Sequence, residues 1–188
     1  MRMRIRIITA IAVLYLLSLP LHAQMIRVGS CKVDLGAWEL PSCAIETKGE
    51  ELFILKELVK PLGEGRWTQV GDSQVAWTAL STGFSYFDRS GRIVVTHVAP
   101  FDNGPSPFHE GLVRIVQNDK WGLADAKGKL IVPREYDGIL EFEGGSWLAC
   151  IHCTIETMGE YHRFTGGAWV AIDRFGKVIG PVKDPTHK

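Results

Sequence analysis

Apolar residues come along this chain in short runs broken by Gly, Asp, Asn, Ser and Pro, and only two stretches depart from that texture. The first is the unbroken apolar run from Ile7 to Leu19. The second is Glu50–Leu62, where Leu55, Leu58, Val59 and Leu62 follow a helical spacing and Pro61 stands near the end. A helix suits that segment, and so does a strand over Leu52–Leu55 leading into a single helical turn; the pattern leaves both open. Residues 26–45 carry Val28, Val33, Leu35, Trp38 and Leu40 between Gly29, Gly36 and Pro41, a pattern for short strands and turns. From Gly63 onward the periodicity is that of β-structure. Trp67–Val70 and Gln74–Leu80, separated by Gly71-Asp72-Ser73, read as a hairpin. Three further hairpins are centred on Asp-x-x-Gly. Tyr86-Phe87, Leu123-Ala124 and Ala171-Ile172 precede the three corners, and Ile93-Val94-Val95, Leu130-Ile131-Val132 and Val178-Ile179 follow them. Asp at the first turn position caps the turn and Gly at the fourth accepts positive φ, which predicts a type I turn closed by a Gly bulge.

These hairpins are copies of one another. Phe84, Trp121 and Trp169 each stand four residues before Asp88, Asp125 and Asp173. Gly91, Gly128 and Gly176 follow each Asp by three, then a basic residue (Arg92, Lys129, Lys177) and two aliphatics. The later parts correspond too: Phe101-Asp102 with Tyr136-Asp137, and Phe108-x-x-Gly111 with Phe142-x-x-Gly145. In the middle copy the strand Leu112–Val116 and the turn Gln117–Lys120 come first. A unit of this size cannot bury its own apolar face, so neighbours must stack. The expectation is a mainly β protein, an antiparallel β-hairpin repeat array over residues 83–181, with units at 83–111, 112–145 and 146–181. A small disulfide-closed N-terminal α+β section (24–82) precedes it and a tail (182–188) follows. The step from Phe108 to Trp121 is 13 residues whereas that from Phe142 to Trp169 is 27, so the last unit holds 14 additional residues near Cys150–Phe164. Long insertions on a repeat scaffold are common binding surfaces. His152, Glu156, Glu160, Tyr161 and His162 are therefore the candidate partner surface.

With those residues set out, the chain resembles the WG (KWG) repeat proteins of bacteria. The middle copy carries the likeness: Gly111-Leu112, Lys120-Trp121-Gly122, Asp125-x-x-Gly128-Lys129, Pro133-x-x-Tyr136-Asp137 and Phe142. Ser85 and Val170 stand where the middle copy has Gly122, which predicts distortion of the outer units. The resemblance implies an antiparallel β array in an interaction or scaffold role, often at the cell envelope, and brings no catalytic residues with it.

The amino-terminal segment fixes the expected compartment. Arg2, Arg4 and Arg6, the apolar run and Leu21-His22-Ala23 form the pattern of a secretory signal peptide (1–23), cleaved after Ala23. The run is shorter than the ~20 residues of a spanning helix, so no membrane span is expected after cleavage. A lipid-attachment box at Val28-Gly29-Ser30-Cys31 is a weaker alternative, since Arg27 separates it from the apolar core. Three Arg leave with the leader, so 18 basic residues face 21 acidic ones and the net charge falls from zero to −3. That balance, without a basic run, argues against nucleic-acid partners.

In an oxidising compartment the four cysteines read as disulfides, with Cys31–Cys43 and Cys150–Cys153 favoured by proximity. A bridge across Cys150-Ile151-His152-Cys153 requires a tight turn, because three extended steps put the Cα atoms ~10 Å apart and a bridge spans less than ~7 Å. Two rivals exist for that motif. A redox centre would want the pair at a helix N-terminus, and a metal site would recruit His162 and His152. Trp121 and Trp169 read as core anchors rather than a sugar platform, with Trp147 less clearly so. His97 and His109, like the insertion's histidines, sit near turns. No nucleophile–base pattern, phosphate loop or paired carboxylates stands out, and no cofactor or metal is expected. The expected function is thus an exported, non-catalytic binding module for another protein. Thiol–disulfide exchange at Cys150/Cys153 and glycan binding through exposed aromatics are the alternatives.

Overall fold

The computed structural model describes residues 25–28, 31–34, 40–159 and 161–185, with side chains for 40–157, 159 and 163–185. The leader, and the side chain of Cys31, therefore lie outside the described residues. The strands are β1 (Met25–Val28), β2 (Cys31–Asp34), β3 (Ile45–Lys48), β4 (Glu51–Ile54), β5 (Thr68–Val70), β6 (Ser73–Leu80), β7 (Gly83–Asp88), β8 (Ile93–Val98), β9 (Pro100–Phe101), β10 (Gly104–Pro105), β11 (Leu112–Gln117), β12 (Lys120–Asp125), β13 (Leu130–Tyr136), β14 (Gly138–Ile139), β15 (Trp147–Ile151), β16 (Thr154–Met158), β17 (Tyr161–Thr165), β18 (Ala168–Ile172) and β19 (Val178–Val182). Helix α1 (Lys56–Val59) is a single turn after β4, so Glu50–Leu62 takes the strand-then-turn option. The protein is mainly β, and among the described residues every strand pair is antiparallel.

Two meanders dominate. A seven-stranded sheet runs β13-β12-β11-β8-β7-β6-β5, with the β9–β10 hairpin looped out between β8 and β11. A four-stranded sheet runs β14-β15-β18-β19, with the β16–β17 hairpin looped out between β15 and β18. The strand noted before the middle corner hairpin, β11, has counterparts in β6 and β15, so β6-β7-β8, β11-β12-β13 and β15-β18-β19 follow one plan.

The three corners share one hydrogen-bond set. Each Asp backbone N–H donates to the carbonyl of the basic residue four positions on, at 2.9, 2.9 and 2.8 Å. Each Gly N–H donates back to the Asp carbonyl at 2.9, 3.0 and 3.0 Å. One Asp carboxylate oxygen accepts the N–H groups of the second and fourth residues on: Ser90 and Arg92, Lys127 and Lys129, Phe175 and Lys177. Gly91, Gly128 and Gly176 have φ of 87°, 84° and 82°, where a Cβ is disfavoured.

Each corner also seats against the segment before it. A Cβ on Gly91 would lie 2.7 Å from the Ile54 carbonyl oxygen, one on Gly128 would run into the Val94 carbonyl, and one on Gly176 would lie 2.5 Å from Ile131 Cγ2. The first seat is reinforced by an Ile54 N–H donated to the Gly91 carbonyl at 2.7 Å. The later turns match as well. His109 and Leu112 exchange both backbone hydrogen bonds around Glu110-Gly111, as do Glu143 and Ser146 around Gly144-Gly145, and all four turn residues have positive φ.

The residue after each anchor aromatic obeys a steric rule, which corrects the expectation of distorted outer units. Opposite Gly122, between the pairs Trp121↔Tyr136 and Leu123↔Val132, the facing strand carries three residues, Pro133–Glu135. Opposite Ser85 it carries two, Thr96 and His97, and opposite Val170 only Pro181. A Cβ on Gly122 would sit 2.5 Å from the Val132 carbonyl oxygen. The middle unit is the most bulged, and Gly is its price of admission; the outer units pair more regularly and accept larger residues.

Three apolar clusters fill the interior. Ala44, Ile54, Leu58 and Val59 pack on Ala76 and Phe87, tying the N-terminal elements to β6 and β7. Val75, Tyr86, Val95, Val113, Ile115 and Ala124 hold the centre of the seven-stranded sheet. Leu123, Val132, Ile139, Trp147 and Ile172 bridge the two sheets. Trp147 and Trp169 are buried, as a core role requires.

Candidate interaction surface

The insertion is a hairpin. In the middle unit β11 and β12 are joined by Asn118-Asp119 alone, both at positive φ. In the last unit Cys150↔Trp169 repeats the register of Val116↔Trp121, and residues 152–167 replace that two-residue turn. Within them β16 and β17 pair from Thr154↔Thr165 to Met158↔Tyr161.

Two fastenings hold the hairpin. Cys150 and Cys153 form a disulfide with a Cα–Cα distance of 5.9 Å, inside the limit for a bridge. The tight turn this demands is present: His152 adopts φ of 59°, and Gly167 packs so closely that a Cβ would lie 2.6 Å from the Cys153 nitrogen. The His152 N–H donates to Asp137 Oδ2 at 2.6 Å, while Lys120 Nζ donates to Oδ1 at 2.5 Å. The Lys120 ammonium first, and the His152 N–H second, hold the Asp137 carboxyl below its ordinary value. The second fastening is Phe164, whose ring meets Trp121 edge-on at 5.4 Å and lies where a Gly138 side chain would otherwise be. Trp121 is thus half-buried, covered by the insertion.

Of the five residues expected to form the partner surface, the structure places His152 in the disulfide turn, exposed, and Glu156 on β16, exposed and paired with Arg163 at 2.8 Å. Glu160 and the side chains of Tyr161 and His162 lie outside the described residues. Ile155, not singled out from sequence, is 57 % exposed and stands directly opposite Phe164, on the face that docks. Cys150 is fully buried at a strand end rather than at a helix N-terminus. The metal alternative is left without free thiols there, since the two sulfurs are joined to each other. Cys43 is disulfide-bonded.

Sequence reasoning missed a polar cluster where segments 99–109 and 138–142 meet Arg114 of β11. Arg114, buried, donates to Ser106 Oγ at 3.0 and 2.7 Å and to the Ile139 carbonyl at 2.9 Å, and forms an ion pair with Glu141. Burial pushes its pKa down and Glu141 opposes that shift. His109 Nε2 lies 3.1 Å from the other Glu141 oxygen. Tyr86 donates its hydroxyl to the Ser106 carbonyl at 2.9 Å, and burial raises its pKa to about 12. The only available signal was an Arg inside the apolar run Leu112–Val116. Removing one partner of such a pair strands a buried charge, so the cluster reads as a brace between loops 99–109 and 138–142. An open groove of about 720 Å³ lies beside the first corner. Its two guanidinium groups are already engaged, Arg89 by Glu64 and Gln74 and Arg92 by Glu51 and Asp88.

Among the described residues, no three His, Cys, Asp or Glu side chains converge as metal ligands and no helix is long and apolar enough to cross a membrane. Residues 84–121 and 121–151 each match the family model of the WG-containing repeat. No curated protein and no solved structure matches the chain.

Proposed function

Because its two adjacent repeats make the chain a WG repeat protein over residues 84–151, we propose that it is a non-catalytic binding module. In this reading three corner-seated units form one array, and the β16–β17 hairpin of the last unit is the surface that a partner protein grips. The carrying observation is the substitution of a clamped hairpin for a two-residue turn at an otherwise equivalent position. A hairpin fastened at its base by the disulfide turn and by Phe164 has less freedom for a partner to restrict on binding. The Arg-rich, apolar leader and the disulfide support an exported protein, working in the periplasm or outside the cell.

The test is to replace residues 152–167 by Asn-Asp and Cys150 by Val, restoring the middle unit's connection. Both chains are then used to capture partners from envelope extract of the producing organism. The shortened chain is expected to fold and to lose a partner that the intact chain retains. Equal capture by both chains, or capture by neither above background, sinks the proposal.

A further inference from the structure

Each corner occupies a seat made by the segment before it, and among the described residues the seat at Ile179 is open. Aligned on their glycines, the strands after the three corners place Val94, Ile131 and Ile179 at the same position, three residues beyond Gly91, Gly128 and Gly176. Gly128 sits against Val94 and Gly176 against Ile131, and both of these aliphatics are half-buried. Ile179 is 64 % exposed. Phe175, at the tip of the last corner, is 71 % exposed, where the other corners carry Ser90 and Lys127. Val178 and Val182 on the same strand are exposed too, and β19 is the outermost strand of its sheet among the described residues.

We propose that the outer side of β19, centred on Ile179 and rimmed by Phe175, is a docking seat for the Asp-x-x-Gly corner of a WG-type β unit on another chain. The internal seats define the occupant. The incoming residue must lack a Cβ, since one on Gly176 would come within 2.5 Å of Ile131. It must also hold positive φ, and a flanking Asp must close the turn so that its backbone is satisfied before it meets an apolar surface. Pro181 lies within β19 and has no N–H to offer, so that strand is a poor template for simple edge pairing. Docking onto side chains, as at Ile131, remains. Exposed Lys177 and Lys183 flank the seat and complement the incoming Asp. This surface is separate from the β16–β17 hairpin, and neither proposal requires the other.

The experiment places a photo-cross-linking amino acid at position 179 of the full chain, irradiates it in the producing organism, and maps the adducts residue by residue. The expected adduct joins position 179 to an Asp-x-x-Gly corner on a polypeptide other than this chain, because Gly91, Gly128 and Gly176 are already seated; an adduct to a corner of a second copy overturns the proposal. In a companion chain with the cross-linker at 175 instead, Ile179→Asp should cut that adduct about tenfold, or ~1.4 kcal/mol. The exposure of Ile179 lets this variant keep the Cys150–Cys153 bridge and its β circular dichroism. An adduct to β19 of a second copy, to a segment without such a corner, or no adduct beyond the single chain overturns the proposal.

Discussion

The middle and last units turn the same Asp-x-x-Gly corner and differ at the opposite end of the hairpin. The middle unit closes β11 onto β12 with Asn118-Asp119 and then bulges around Gly122. The last unit pairs β18 with β19 almost regularly but opens the other connection into a sixteen-residue excursion, 152–167. The corner is invariant because it does two jobs at once, satisfying its own backbone and fitting the neighbouring unit. The opposite connection carries neither constraint and is free to vary. Architecture and elaboration are thus assigned to opposite ends of the central strand of each triplet.

The sharpest way to break that assignment is at the corners themselves. Gly128→Ala and Gly176→Ala both force an alanine to positive φ, costing roughly 1–2 kcal/mol. At Gly128 the added methyl also meets the fixed Val94 carbonyl, whereas at Gly176 it meets methyl groups that can move. Urea denaturation should therefore show a loss of ~3–4 kcal/mol at Gly128 and about 2 kcal/mol at Gly176. Equal losses would mean that the seat contributes nothing beyond the turn.

A smaller effect tests the bulge rule. Gly122→Ala should cost about 2 kcal/mol by overpacking against the Val132 carbonyl, while Val170→Gly in the regular unit should cost about 1 kcal/mol through lost strand preference. Added bulk hurts one position and lost bulk the other; the same sign of response to bulk at both would contradict the count of facing residues.

The smallest effect concerns the link between these two units through Asp137, which takes bonds from Lys120 of β12 and from His152 of the insertion. The Lys120 ammonium first and the His152 N–H second hold its folded carboxyl below the ordinary carboxylate value. Its contribution is therefore present above that value and lost as pH falls through the lower folded one. Being an exposed pair, it is worth well under ~1 kcal/mol. The melting-temperature gap between the wild type and Asp137→Asn should close as pH falls from 6 towards 3; a gap that widens would reverse the sign.

The corners were legible because their chemistry is local. Asp and Gly at fixed spacing specify a turn with no knowledge of the rest of the chain, and Asp88, Asp125 and Asp173 all behave accordingly. The insertion was legible through spacing, although not its form. Ile155 and Phe164 give no sign in the sequence that one face of their hairpin lies down on Trp121. Arg114 was illegible for the same reason. Its partners Ser106, Glu141 and Ile139 are brought to it by loops, and no spacing along the chain encodes such long-range meetings.

The variable connections, Ser81-Thr82, Asn118-Asp119 and 152–167, occupy equivalent places in the three strand triplets. Only the third is long; the other two are two-residue turns at the same place in the pairing. The corner hydrogen bonds lie at the other end of each central strand, so a longer loop grafted at Ser81-Thr82 or Asn118-Asp119 would leave them in place.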